Sequence, residues 1–302
     1  MLQTRDIKRR IKSVQNTKKV TRAMEMVSAA KMRKTVSNVQ LSRSYADLAW
    51  NLVKRLVAKT ATKYHSLLRK PPVIKRVGVV LVTSNRGLCG GFNTQIIHKT
   101  LNYIKEQENQ GAQAELIILG KKGGNFMAKR RQAIAAVFEK LDITTQIAEI
   151  RPLIKLLLGD YLAGKYDKIV LAYSDFISTL VQKPRIFQLL PVSGTEDRYL
   201  GQIRGNSQKE ESFGSYQFEY LFEPSPEEVL NELLPRLLEM QIYQAILESD
   251  ASEHSARMVA MRNASDAASE MVDSLTLAYN KVRQSSITAE LADISGGRIA
   301  ME

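Results

Sequence analysis

The residues best placed to do chemistry lie between 84 and 93, where Gly87, Gly90 and Gly91 follow the β-branched run Val77 to Thr83 and precede a helical stretch from Asn93 to Glu108. A strand, a glycine loop and a helix N-terminus are what an α/β domain uses to cradle a phosphate. The spacing, however, supplies neither G-x-G-x-x-G nor G-x-x-x-x-G-K-[ST], and no lysine stands where the second pattern needs one. Close packing or a tight turn is the commoner use of such glycines. Cys89 could act as a nucleophile at that helix start, where its thiol pKa would fall. The three histidines, His65 in a tail and His98 and His254 each on a helix, offer it no evident base, so a small buried side chain is the simpler reading. The methionines Met24, Met26, Met32, Met258, Met261 and Met271 sit at helical spacing and read as core. No H-E-x-x-H, carboxylate dyad or Ser-His-Asp set emerges. We expect no catalytic, cofactor-binding or metal-ligating residues and no cofactor.

The elements that would position this loop occupy residues 71–224. Glu115 to Leu119 and Lys168 to Tyr173 are further buried strands, and Gly120, Gly123 and Gly124 separate the first of them from a helix expected from Asn125 to about Arg131. Strand, glycine turn and helix in repetition imply a parallel sheet. Arg185 to Val192 and Tyr216 to Phe222 read as later, antiparallel strands, with an exposed loop from Ser193 to Ser215 between them.

On either side stand two long helices, in the expected segments 1–70 and 225–302. Residues 3–58 contain neither proline nor glycine, and Ile7, Ile11, Val14, Val20, Met24 and Val27 recur at helical spacing. The last helix is expected from Pro226, behind Ser225 and with Glu228 completing a capping box, to Ile294, stopped by Gly296 and Gly297. Met261, Ala264, Ala268, Met271, Leu275, Ala278 and Val282 follow at steps of three and four, the seam of a coiled coil that needs a partner helix. The net charge of +13 is unevenly spread: residues 1–58 carry +11 and residues 226–302 carry −7. Opposite signs suit an antiparallel pairing of the two helices; a solvated face is the commoner reading of the basic stripe on the first, and contact with acidic surfaces the sharper one. The expected fold class is therefore α/β, a long antiparallel coiled coil of the N- and C-terminal helices plus a Rossmann-like α/β domain. A single cysteine excludes an internal disulfide and suits a reducing compartment. No apolar run is long enough to span a bilayer, and the chain reads as soluble and untargeted.

Three stretches together resemble one family. IKRRIKSVQNTKKVTRAMEMVSAAKMRK from Ile7, SNRGLCGGFN at 84–93 and SEHSARMVAMRNASDAASEMVDSLTLAYNKVRQSSITAELADISGG at 252–297 look like the γ subunits of F-type ATP synthases. The resemblance implies a shaft inside a hetero-hexameric ring of α and β subunits, with the α/β domain at its foot against the ε subunit and the membrane c-ring. It implies a non-catalytic, peripheral subunit on the cytoplasmic face of the bacterial plasma membrane, without nucleic acid and without homo-oligomers, that couples ion-driven c-ring rotation to ATP synthesis or hydrolysis at the β subunits. By the same resemblance Arg283, Gln284, Thr288 and Glu290 meet catch loops of α and β, and Met24 passes the β-subunit lever. The thiol switch of chloroplast relatives is not expected, since residues 193–215 lack cysteine. Two rivals rest on the residues alone: a basic coiled-coil nucleic-acid-binding protein, which lacks aromatics interleaved with its basic stripe, and a nucleotide-binding α/β enzyme.

Overall fold

The computed structural model describes residues 2–59, 66–69, 71–140, 142–143, 146–192 and 225–299. The expected strand Tyr216 to Phe222, the loop Ser193 to Ser215 and His65 lie outside the described residues. Two compact units result: residues 1–28 with 257–302, and residues 29–256. Both are threaded by the same two helices, α1 (Leu2–Lys59) and α5 (Pro226–Ile299).

Between these helices come β1 (Arg76–Val82), α2 (Phe92–Asn109), β2 (Gln113–Leu119), α3 (Lys121–Lys129), β3 (Ile134–Phe138), a short 3₁₀ turn (Ile147–Ile150), α4 (Arg151–Leu162), β4 (Lys168–Phe176) and β5 (Gln182–Leu190). The strands form one sheet in the order β3-β2-β1-β4-β5. The pairs β1–β2, β1–β4 and β2–β3 are parallel, and β5 runs antiparallel to β4. The sheet is wound both ways from β1, so the topological switch lies between β1 and β4.

Alternation along the strands supplies two cores. Val77, Val79 and Leu81 join Leu116, Ile118, Val170 and Ala172 under α2 and α3. Val80, Val82, Ile117, Leu119, Ile169, Leu171 and Tyr173 face α4 and the first third of α5. Central strands buried on both faces read as continuous apolar runs, which is why β1, β2 and β4 stand out in the sequence.

Several boundaries differ from expectation. Helix α3 starts at Lys121, before Asn125, and takes in Gly123 and Gly124. Helix α5 continues through Gly296 and Gly297 to Ile299, since a glycine costs a helix only about 1 kcal/mol and does not of itself end one. Strand β3 and helix α4 were not expected.

In the unit of residues 1–28 and 257–302, half-buried and buried positions of α1 fall at Thr4, Ile7, Ile11, Val14, Thr21, Met24, Glu25 and Ser28, a heptad pattern interrupted by exposed Lys18 and joined by Met24. The matching α5 set is Met261, Ser265, Ala268, Val272, Leu275, Tyr279, Val282 and Ser286. Met271 and Ala278, expected in the seam, point outward. Met271 is 53% exposed. Their neighbours Val272 and Tyr279 are also apolar, so the sequence fits two phases one residue apart. The remaining expected positions range from buried Met261 and Ala268 to half-buried Ala264, Leu275 and Val282. The basic stripe is a solvated face at Lys8, Arg10, Lys12, Lys18 and Lys19, which are exposed, and the ion pairs Arg9–Asp6 and Arg22–Glu25 are local to α1.

Candidate functional site

The glycine loop forms a turn closed on itself. Leu88 and Gly90 take left-handed backbone angles, and Cys89 is buried. Asn93 donates from Nδ2 to Ser84 Oγ at 2.7 Å and to Cys89 Sγ at 3.2 Å, while its Oδ1 accepts from the Ser84 amide at 3.0 Å. These bonds make the loop a packed corner.

The other anion-binding feature of such folds, the N-terminus of α3, is also occupied from within. Its first three amides are taken by the end of β1: Lys121 N by Asn85 Oδ1 at 3.1 Å, Lys122 N by the Ser84 carbonyl at 3.0 Å and Gly123 N by Thr83 Oγ1 at 3.0 Å. This closeness explains the glycines. A Cβ on Gly120 would lie 2.3 Å from the Thr83 carbonyl oxygen, and one on Gly123 would lie 2.7 Å from Thr83 Oγ1. With these amides already bonded, a phosphate would find no free donors there.

The crevice at the carboxyl ends of the strands, where α/β folds bind ligands, holds α5 instead. Every residue from Ile242 to Ser255 is buried, although Gln244, Glu248, Ser249, Asp250, Ser252, Glu253, His254 and Ser255 are polar. Such a band is stable only if its groups are paired. Lys140, beyond β3, places Nζ 2.6 Å from Asp250 and 2.7 Å from Glu253, with the lysine side chain 2% exposed. Burial alone would lower the Lys140 pKa, but the charges of Asp250 and Glu253 outweigh it and hold the group above its ordinary value. His254 Nε2 lies 2.9 Å from the Asp142 carbonyl oxygen, Ser252 Oγ donates to the Ser174 carbonyl at 3.1 Å, and Ser255 Oγ donates to the Thr179 carbonyl at 2.7 Å. Asp142 in turn accepts from Lys31 of α1 at 3.0 Å, a hydrogen bond that holds its carboxyl below the usual range.

The other residues named from the sequence lie elsewhere. Arg283, Gln284, Thr288 and Glu290 are exposed on α5, and Thr288 Oγ1 donates to the Gln284 carbonyl of its own helix at 2.9 Å. Met24 is half-buried. His98 is exposed on α2 and His254 is buried on α5. Sequence reasoning missed the polar band of α5, and also a periodic feature of α1. Thr21, Ser28, Thr35 and Ser42 recur every seventh residue, the first three buried. Thr21, Thr35 and Ser42 bond back to carbonyls of their own helix, and Ser42 also donates to Gln244 of α5. The heptad spacing of small hydroxylic residues was the available signal.

Among the described residues no group of three or more His, Cys, Asp or Glu could hold a metal ion, and no helix is long and apolar enough to cross a membrane. Two long helices, the second bonded to the segments after β3 and near the end of β4, flank a five-stranded α/β domain in the chain order, and this defines an α/β protein with long terminal helices. A family model described as ATP synthase matches residues 3–301. Full-length similarity extends to the ATP synthase gamma chain of Herpetosiphon aurantiacus, 41% identical over 309 residues with 100% of this chain and 99% of the relative covered. The gamma chain of Legionella pneumophila strain Corby is 36% identical over 301 residues, with both chains fully covered. The chain therefore belongs to the ATP synthase gamma chain family. The same fold occurs in a chain of the Euglena gracilis mitochondrial ATP synthase (OSCP/F1/c-ring), with TM-score 0.66 and 21% identity over 99% of this chain and 94% of that one. It also occurs in the rotor of that synthase, with TM-score 0.61 and 18% identity over 94% and 99%.

Proposed function

We propose that this chain is the central rotor shaft of an F-type ATP synthase. It is itself non-catalytic and couples rotation of an ion-driven c-ring to nucleotide chemistry in the β subunits. The observation that carries this reading is that α5 is buried and bonded at the carboxyl ends of β3 and β4, where α/β folds bind ligands, and runs on for more than forty residues beyond that point to Ile299. A nucleotide-binding enzyme is disfavoured by the same observation.

In this reading the exposed end of α5 works inside a ring of α and β subunits, while the α/β domain meets the ε subunit and the c-ring at the cytoplasmic face of the bacterial plasma membrane. Leu277, Leu291 and Ile294 are 72%, 60% and 70% exposed, and such an apolar surface suits a bearing with few sticking points. Arg283, Gln284, Thr288 and Glu290 supply the polar catches, with Met24 on α1 passing the lever of β. Each orientation of the shaft favours one conformation of each β subunit through a difference in contact free energy.

The test is the double variant Arg283→Ala, Gln284→Ala in the assembled complex. Charge-assisted hydrogen bonds contribute about 1.5–3 kcal/mol, so ATP hydrolysis should fall roughly tenfold with assembly intact. An unchanged rate in a fully assembled double variant would assign coupling to other contacts.

A further inference from the structure

The structure points to a function for the buried polar band that the rotor reading does not specify. We propose that Lys140, Asp250 and Glu253, with the hydrogen bonds flanking them, form a torsional latch that fixes the rotational and axial register of α5 inside the α/β domain. The proposal rests on the shaft reading above and concerns how torque passes from the domain into the helix.

The geometry of the grip carries the inference. Successive residues of an α-helix are turned by about 100°. Taking Asp250 as zero, Ser252, Glu253, His254 and Ser255 stand at roughly 200°, 300°, 40° and 140° around the axis. All five bond to groups outside their own helix: Lys140 takes Asp250 and Glu253, and the carbonyls of Ser174, Asp142 and Thr179 take the other three. No arc wider than about 100° is left without an anchor. A helix docked by one face can roll on that face, whereas one bonded around its circumference cannot.

The chemistry of the anchors matters as much as their placement. Apolar burial is non-directional and changes little when packed surfaces shift. Hydrogen bonds and close ion pairs weaken steeply with misalignment, so a rotated or slid helix would strand buried charges. The partners come from the segments after β3 and near the end of β4, held in place by the sheet. Asn85 Nδ2 at the end of β1 also donates to the Lys140 carbonyl, which ties the residue carrying the ammonium to the central strand. A buried ion cluster is a poor source of stability, because apolar replacement is often neutral or better. Retaining one here makes sense as a device for fixing register.

The experiment uses the complete complex with its ring immobilised and a bead on the α/β domain, attached through Lys99→Cys on the exposed side of α2. The native Cys89 is buried. In the parent complex the bead turns with ATP; a bead that never turns would refute the shaft reading without bearing on the latch. The variant Lys140→Met, Asp250→Leu, Glu253→Leu removes all three charges together. If the latch is real, the bead still turns but its angular spread during pauses widens roughly twofold, whereas Lys140→Arg, which keeps the cation, stays near the parent. An unchanged spread in the triple variant overturns the proposal. Should the triple variant fail to assemble, Glu253→Gln, which leaves Lys140 paired with Asp250, decides instead: a widened spread supports the latch and an unchanged one overturns it.

Discussion

Arg185 Nε lies 2.8 Å from Asp175 Oδ2 across the β4–β5 pair. The two are diagonal neighbours, since the register sets Arg185 against Tyr173 and Asp175 against Lys183. The carboxyl is 4% exposed and the guanidinium 28%. Burial pushes the Asp175 pKa up, and although Arg185, Glu248 and Lys183 pull it down, the net direction is upward. A carboxyl whose folded pKa is raised contributes stability that is fully present below its unfolded pKa and is lost as pH rises through the folded value.

Arg185→Met should therefore be a pH-dependent lesion. Removing the cation leaves a buried carboxylate without its ion-pair partner, costing about 2–4 kcal/mol at pH 8. Near pH 4 the loss should be smaller, because the carboxyl can be protonated in both states. Urea midpoints of the purified chain at the two pH values check this. A penalty of equal size at both would mean that the arginine acts through packing alone.

The phase of the seam is open to a paired comparison. Leu275→Asp puts a charge on the half-buried face of α5 and should cost about 2 kcal/mol or more. Met271→Asp, four residues earlier but outward, should stay within about 0.5 kcal/mol. Thermal unfolding of the two purified variants distinguishes the register seen here from the one the apolar spacing first suggests, in which both would be damaging.

Two glycines should respond in opposite senses to alanine. At Gly120 the backbone has φ +106° and a Cβ would strike the Thr83 carbonyl. Gly120→Ala should lose about 3 kcal/mol or fail to fold. Gly159 lies within α4, and a Cβ there would meet nothing within 4 Å. Gly159→Ala should gain about 0.5–1 kcal/mol through helix propensity. Chemical denaturation of each variant provides the measurement.

What the sequence disclosed and what it hid divide along physical lines. Strands β1, β2 and β4 are buried on both faces and announce themselves as unbroken apolar runs. Strand β3, five residues long, alternates between half-buried and exposed positions, which gives a periodicity argument little to hold. Helices α1 and α5 were legible from their length, their lack of interruption and the capping box at Ser225, where Ser225 Oγ accepts from the Glu228 amide at 3.3 Å. The phase of α5 was not, because Met271 beside Val272 and Ala278 beside Tyr279 are equally acceptable as apolar positions. The polar band was least visible. A stretch reading Glu-Ser-Asp-Ala-Ser-Glu-His-Ser looks solvated until Lys140, more than a hundred residues earlier in the chain, is brought against it.

The occupied crevice also bears on biosynthesis. The described strands β1 to β5 all precede residue 191, yet the part of α5 that bonds to the segments after β3 and near the end of β4 is not translated until residues 242–255. At about 5–20 residues per second, the interval spans several seconds at least. During that time the Lys140 ammonium lacks both of its carboxylates, and the carbonyls of Asp142, Ser174 and Thr179 lack their donors from α5. A nascent chain paused in this interval displays a hydrated polar cleft at the point where related architectures hold their ligands, and closes it only when its own last helix emerges.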